Sequence, residues 1–274
     1  MRLLGHKLSW TALVGCIIVA ANIFVAVFAP LIAPYGEAAI VGDSDLPPDA
    51  MFWLGTDNLG RDLLSRMIFG ARMSISLALV IAITAFFIGI VAGFAAAISG
   101  RWVDMALSRL VDLLLSMPAL IFAFIILSVM GTDIPVLVIT IAVLQSTYVF
   151  RLARSVAMGI VTMEFVEAAK LRGEGLWWII TREILPNAMP PLLAEFGLRF
   201  CFILLMIAAL SFLGLGIKPP DADWGSMVKE LSNVMFQTGS PAPLYPAGAI
   251  AVLTIGVNFI VDWMLSIHSR SHGD

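Results

Sequence analysis

The sequence has little charge and almost no cysteine. Only 13% of its 274 residues are charged, whereas a soluble domain has about 25%. The net charge of −3 gives no basic footprint for DNA or RNA. The two cysteines, Cys16 and Cys201, both lie in apolar runs, which argues against a disulfide framework. Together these absences exclude a disordered chain, a nucleic-acid-binding protein and an ordinary soluble enzyme.

Several kinds of catalytic site are absent as well. None of the lysines follows a glycine, so there is no phosphate-binding loop of the kind that holds ATP. The three histidines, His6, His268 and His272, lie at the two tails, away from any serine in an apolar run. No spacing of histidines and cysteines resembles a metal-ligand cluster. We therefore expect no catalytic residue, no metal site and no cofactor bound by this chain.

Apolar residues, in contrast, make up 60% of the chain, and the mean hydropathy is +0.99. A helix that crosses a membrane needs about 20 mainly apolar residues. Six weakly charged stretches predict an all-α membrane protein with about six transmembrane helices: 9–36, 73–100, 113–132, 134–150, 188–213 and 244–267. The first is longer than the apolar core of a secretory signal, so we interpret it as an uncleaved anchor.

The distribution of Lys and Arg predicts that both termini are cytoplasmic. With this orientation, ten basic residues lie in inside segments and five in outside segments. The ten are Arg2, Lys7, Arg101, Arg109, Arg151, Arg154, Lys170, Arg172, Arg182 and Arg270, and the five are Arg61, Arg66, Arg72, Lys218 and Lys229.

The outside segment 34–72 changes character along its length. It begins polar and proline-containing, and apolar residues then recur at helical spacing from Leu63 to Ala71. This pattern predicts a short amphipathic helix, either at the outer membrane interface or packed on the protein's own surface. The chain then divides into an N-terminal part (1–72), a membrane core (73–267) and a short cytoplasmic tail (268–274).

The inside segment 151–187 is the most informative part of the sequence. Its residues predict one short helix from Glu164, a break at Gly173, and a second short helix that ends near Pro186. The small Ala168 and Ala169 would let another protein approach the backbone closely. From the residues alone, an amphipathic loop on the membrane surface is an equal alternative.

This segment resembles the EAA loop found in permease subunits of binding-protein-dependent ABC importers. Glu183 departs from the pattern, because isoleucine is expected there. Two further stretches, 54–72 and 211–225, resemble the dipeptide, oligopeptide and nickel permease group. The residues that match the EAA pattern are Glu167, Ala168, Ala169, Gly173, Leu185 and Pro186.

The resemblance implies a type I ABC importer permease in a bacterial inner membrane, which moves a peptide-like or related small solute from the periplasm into the cytoplasm. It implies a second homologous permease subunit, two ATPase subunits that bind ATP and magnesium, and a periplasmic solute-binding protein. The helix 164–171, including Glu164, would seat in the ATPase. Pro219, Pro220 and Trp224 would face the binding protein, or form a re-entrant cap.

Two charges stand inside a predicted span. Glu195 and Arg199 are four residues apart, so they share a helix face and are able to pair. Charges in a span usually face a bundle interior or a watery path. We expect either a polar wall of the solute path, joined by Gln145, or a self-neutralising structural pair.

Three other functions compete with this interpretation. A secondary transporter driven by an ion gradient would show inverted repeats, and none is visible. A membrane-embedded enzyme would need a nucleophile or metal constellation in the spans. A purely structural subunit would never touch the solute.

Overall fold

The computed structural model describes residues 2–3, 6–7 and 9–270, and this part of the chain is almost entirely helical. Arg2–Leu3 (β1) pairs antiparallel with His6–Lys7 (β2). The helices are α1 (Trp10–Val27), α2 (Ala29–Ile32), α3 (Leu63–Ile98), α4 (Arg101–Leu115), α5 (Ala119–Met130), α6 (Ile134–Val161), α7 (Glu164–Leu171), α8 (Leu176–Trp178), α9 (Leu185–Phe212), α10 (Trp224–Thr238) and α11 (Leu244–Arg270).

The predicted all-α membrane fold is confirmed. Among the described residues, five helices are long and apolar enough to cross a membrane, or six if α4 and α5 form one bent span. The five are 10–27, 63–98, 134–161, 176–212 and 244–267. Residues 271–274 of the predicted tail lie outside the described residues.

Close contacts between helices fix their directions. The glycines of α3 face α6 in parallel order, Gly89 against Val149 and Gly93 against Ala153. In contrast, α9 and α11 run antiparallel, since Gly197 meets Val261 while Cys201 lies near Thr254. Helix α1 also runs antiparallel to α11, because Gly15 lies against Phe259 and Ile260 whereas Ile18 and Val19 lie against Gly256.

These directions place the start of α1 and the end of α11 at the same end of the bundle as α7, which we call the α7 end. The loop 33–62 and the segment 213–243 lie at the opposite end. The start of α1 and the end of α11 therefore share one side. The assignment of that side to the cytoplasm stays a prediction from the Lys and Arg distribution.

Residues 63–71 are helical, as predicted, and they pack on the protein's own surface, the second of the two alternatives, but they do not form a separate short helix. These residues form the beginning of the 36-residue α3, which runs without a break from Leu63 to Ile98. Asp62 caps the helix by accepting a hydrogen bond from the Ser65 N–H at 2.8 Å. Arg66, which we expected on a polar face, is 1% exposed. The stretch is therefore buried against the protein's own acids, not exposed at a lipid interface.

The predicted third span, 113–132, is broken in the structure. Helices α4 and α5 meet at 85°, and Pro118 occupies the N-cap position of α5. A proline disfavours helical geometry in the residue before it, here Met117, which explains a bend at this point. The 12 residues of α5 are too few to cross a membrane alone.

The predicted end of a helix near Pro186 is also wrong. The chain is helical from Leu176 to Phe212. A π-helical stretch, Ile179–Ile184, precedes α9, and the Leu185 N–H bonds to the Ile180 carbonyl across its wider turn. Proline in the first turn of a helix removes no required donor, so Pro186 is accommodated there. The preceding α6 likewise extends past the predicted boundary at residue 150.

Candidate coupling surface and solute path

Helix α7 has the bounds that the sequence predicts, Glu164–Leu171. Its inner face is fully buried, because Val166 and Ala169 are both 0% exposed. They belong to one apolar cluster with Ile179 and Ile184 of the π-helical stretch. This packing ties α7 to the start of the long helix that continues into α9.

The other face of α7 is open in the described chain. Leu171 is 83% exposed and Phe165 is 38% exposed. The candidate residues Glu164, Glu167 and Ala168 are exposed on the same helix. The structure therefore brings three candidate coupling residues to one accessible surface, whereas Ala169 lies beneath it.

Gly173 ends this surface with a conformation that suits glycine. Its φ is +82°, a left-handed value that other residues adopt only at a cost. The Gly173 N–H donates to the Lys170 carbonyl at 3.0 Å, and the Glu174 N–H donates to the Ala169 carbonyl at 3.2 Å. These bonds satisfy carbonyls at the helix end. The glycine break predicted from the sequence is present.

Leu185 and Pro186 lie on the second arm of the segment, apart from the open face of α7. Leu185 is partly buried against the cluster that holds α7, and Pro186 is exposed. Their place at the π-to-α junction suits them to transmit a displacement of α7 into α9. Their role in coupling stays a prediction.

Glu195 and Arg199 form the expected pair on α9. Arg199 Nε lies 2.7 Å from Glu195 Oε1, and the two side chains are 14% and 19% exposed. The guanidinium also lies over two rings, with 4.6 Å from Cζ to the centroid of Tyr148 and 4.7 Å to that of Phe202. Such cation–π contacts stabilise a cation where water is scarce.

Gln145 lies apart from that pair. Its Nε2 is 3.7 Å from Met206 Sδ, two turns along α9 from Arg199. Its Oε1 is buried without a hydrogen-bond partner among the described residues. The structure thus places Gln145 beside Met206 and not beside Arg199. The role of Gln145 in a solute path stays a prediction.

The three predicted contact residues at the opposite end differ in exposure. Pro219 and Pro220, joined by a cis peptide bond, are exposed. Trp224 is only 2% exposed, and its Nε1 donates to the Met67 carbonyl at 3.1 Å. The Trp224 indole is therefore not presented at the surface, which fits the alternative of a cap better than direct contact, and the contact role of Pro219 and Pro220 stays a prediction. Its indole packs α10 onto α3, because Gly70 leaves room for it.

Comparisons with known proteins agree with this architecture. Residues 85–272 match the family described as the binding-protein-dependent transport system inner membrane component. Residues 2–49 match the N-terminal transmembrane domain of oligopeptide transport permease C. The chain belongs to this family of inner membrane transport components. It is accordingly a multi-pass permease subunit of the bacterial inner membrane.

Individual relatives cover nearly the whole permease. The dipeptide transport system permease protein DppC of Alkalihalophilus pseudofirmus is 35% identical over 92% of this chain and 83% of its own length. The di/tripeptide transport system permease protein DppC of Pseudomonas aeruginosa is 37% identical over 92% and 85%. The crystal structure of an amino acid ABC transporter shares the fold, with a TM-score of 0.52 at 19% identity, over 76% of this chain and 94% of that one.

The permease also has an ion network that the sequence analysis did not anticipate, formed by Asp57, Arg61, Arg66 and Glu230. Asp57 Oδ2 lies 2.6 Å from Arg61 Nε and 2.7 Å from Arg66 Nη1. Glu230 Oε2 lies 2.6 Å from the same Nη1 of Arg66. The network links the loop 33–62 and α3 to α10, far away in sequence. The sequence feature that could have predicted part of this network is the set of opposite charges at 57, 61 and 66, next to an apolar run.

Asp223 completes the attachment of α10 at the opposite end. Its side chain caps the helix by accepting hydrogen bonds from the N–H groups of Gly225 at 2.9 Å and Ser226 at 3.3 Å. Burial raises the pKa of Asp223, although the hydrogen bonds from the Gly225 and Ser226 N–H groups oppose the shift. This carboxyl therefore retains its proton to higher pH than an exposed aspartate.

Proposed function

We propose that this permease imports small peptides from the periplasm to the cytoplasm, driven by ATP hydrolysis in separate subunits. The complex would contain a second homologous permease subunit, two ATPase subunits that bind ATP and magnesium, and a periplasmic solute-binding protein. The open face of α7 would dock in a groove of one ATPase subunit. Annular lipid would cover the remaining outer surface of the spans.

The family supports the transport role, and the names of the relatives support the peptide class. Both relatives described above are named as permeases for dipeptides or for di- and tripeptides. A probable D,D-dipeptide permease of Escherichia coli is 32% identical over 95% of this chain and 90% of its own length. Neither name nor family suggests an ion-gradient-driven transporter.

The observation that carries the coupling proposal is that one face of α7 is buried and the other is open. Val166 and Ala169 fix the helix to the membrane domain, while Leu171 remains 83% exposed. A helix held in this way transmits a push on its open face, since its buried face cannot slide freely. ATP binding in the docked subunit would then favour one packing of the spans over the other.

The substitution Leu171→Asp tests this docking. Burying a leucine contributes about 1.5–3 kcal/mol, so the loss should weaken ATPase binding by roughly 10- to 100-fold. We expect the variant to reach the membrane in normal amounts, because the side chain is exposed in the chain itself. Co-purification with the ATPase subunits and ATP-driven peptide uptake should both be lost.

Leu59→Asp is the matched control. Leu59 is 52% exposed in the loop 33–62, at the opposite end from α7. It introduces the same charge where no ATPase contact is expected, so association should be normal. Wild-type association and uptake in Leu171→Asp would contradict the proposal. Uptake that follows an imposed ion gradient in the absence of ATP would favour a secondary transporter instead.

A further inference from the structure

Arg199 lies in surroundings that suit a group that binds a ligand. They suit less well an arginine whose only role is to neutralise Glu195. The guanidinium is flanked by the rings of Tyr148 and Phe202, and these rings are 39% and 53% exposed. Arg199 itself is only 14% exposed. The described chain therefore holds a mostly buried cation between two aromatic rings that are themselves partly exposed, an arrangement called the slot below.

The hydrogen-bonding capacity of Arg199 is largely unused. A guanidinium has five N–H donors, and the ion contact with Glu195 at 2.7 Å is its one close polar contact among the described residues. Even there the Nε–H does not point at the carboxylate in hydrogen-bond geometry, so Nε is buried without an acceptor. An incoming acceptor would thus gain bonds that Glu195 does not make.

The slot lies deep in the bundle. At roughly 1.5 Å per residue, Arg199 is about 20 Å from the end of α9 at Phe212. Tyr148 is about 20 Å from the start of α6 at Ile134, by the same rise. These two helix ends lie together, since Ile134 and Gly216 line one cavity at the opposite end. Both helices therefore place their side chains at the same depth, where a charge facing lipid is costly.

We propose that Arg199 is a carboxylate-recognition group in the solute path, a role that rests on the proposed peptide import. In the empty path Glu195 holds the guanidinium. A solute carboxylate would displace Glu195 and accept two parallel N–H bonds, the geometry in which arginine binds carboxylates best. The rings of Tyr148 and Phe202 keep the guanidinium plane oriented throughout.

The test compares one dipeptide as its free acid and as its C-terminal amide, chosen so that the binding protein retains both. Uptake is measured with the complete transporter in proteoliposomes supplied with ATP. Arg199→Gln should lower uptake of the free acid by about tenfold, the value of one lost charged contact, and leave uptake of the amide unchanged. Arg199→Lys, which keeps the charge without the paired donors, should fall between Arg199→Gln and the wild type.

Two further variants make the outcome decisive. Glu195→Gln removes the competing carboxylate and should raise the preference for the free acid. Arg109→Gln is the control, because Arg109 is exposed on α4, outside the segment 151–187, and it should change neither uptake. Equal losses for acid and amide in Arg199→Gln, or an unchanged preference in both Arg199→Gln and Glu195→Gln, would overturn the inference. If the wild type imports neither form, the proposed function itself fails.

Discussion

Asp57 is the central acid of the ion network, which lies at the end of the bundle opposite α7. Removing its charge is the most informative change to this network. It is 0% exposed and accepts hydrogen bonds from the side chains of Arg61 at 2.6 Å and Arg66 at 2.7 Å. Its second oxygen accepts from the N–H groups of Leu59 and Arg61, both at 2.9 Å. Asp57→Asn keeps the size of the side chain but removes its charge.

The expected cost follows from the burial of the partners. Arg66 is 1% exposed, and two of its nitrogens, Nε and Nη2, have no partner among the described residues. Without the Asp57 charge, Arg66 would rely on Glu230 alone. Removing one partner of a buried ion pair costs about 3–5 kcal/mol. By the size scaling of unfolding entropy, this loss corresponds to a fall in Tm on the order of 10 °C.

Thermal unfolding of the purified permease in one detergent, followed by tryptophan fluorescence, measures this fall. The control is Asp112→Asn, which breaks a pair of the same type between side chains that are 58% and 51% exposed. An exposed pair contributes about 0–1 kcal/mol, so its Tm should change little. Similar Tm values for the two variants would refute the reasoning that burial gives the network its strength. Glu230→Gln, at a site 20% exposed, should give an intermediate fall.

Two glycine pairs give further predictions. Gly89→Ala should lower Tm, because the added Cβ would lie 2.6 Å from Val149 Cβ and overpacking costs about 1–3 kcal/mol. Gly159→Ala is the control and should leave Tm unchanged, since there is open space around Gly159. Thermal unfolding of the two variants compares them. Gly173→Ala places a side chain at a φ of +82°, which costs about 1–2 kcal/mol and should shift the end of the docking helix α7. Coupling should then weaken, so more ATP should be hydrolysed for each peptide imported. Gly175→Ala, at φ of −73°, should leave that ratio unchanged, and equal ratios in the two variants would argue against a strained turn.

The features that sequence analysis predicted correctly are local ones. The bounds of α7 follow from the amphipathic pattern of 164–171 and from Gly173, which depend on neighbours within two turns. The pairing of Glu195 with Arg199 follows from their spacing of four residues. The last apolar stretch, 244–267, matches the observed span because no charge or proline interrupts its centre.

The errors came from features that the spacing of charges and prolines does not show. Charges at 61, 62 and 66 appeared to separate an interfacial helix from the second span. In the structure Arg66 is neutralised by Glu230, 164 residues further along the chain, so α3 continues through this point. Pro186 likewise appeared to end a helix, whereas the π-helical stretch before it lets the helix continue. The contact with Glu230 is not visible in a local pattern, whereas the charge of Asp57 lies only nine residues before Arg66.

The two buried charge clusters of the permease differ in how their own chain encloses them. In the ion network, the side chains of Asp57, Arg61 and Arg66 are 0–5% exposed, and the contacts join segments that are distant in sequence. Around Arg199, the flanking rings are exposed, and the charge partner lies one turn away on the same helix. A cluster of the first kind acts on stability, because its loss leaves unpaired charges inside the protein. A cluster of the second kind joins no distant segments, so its loss should disturb the packing of the helices less, and this difference is what makes Arg199 the group proposed above to meet a solute.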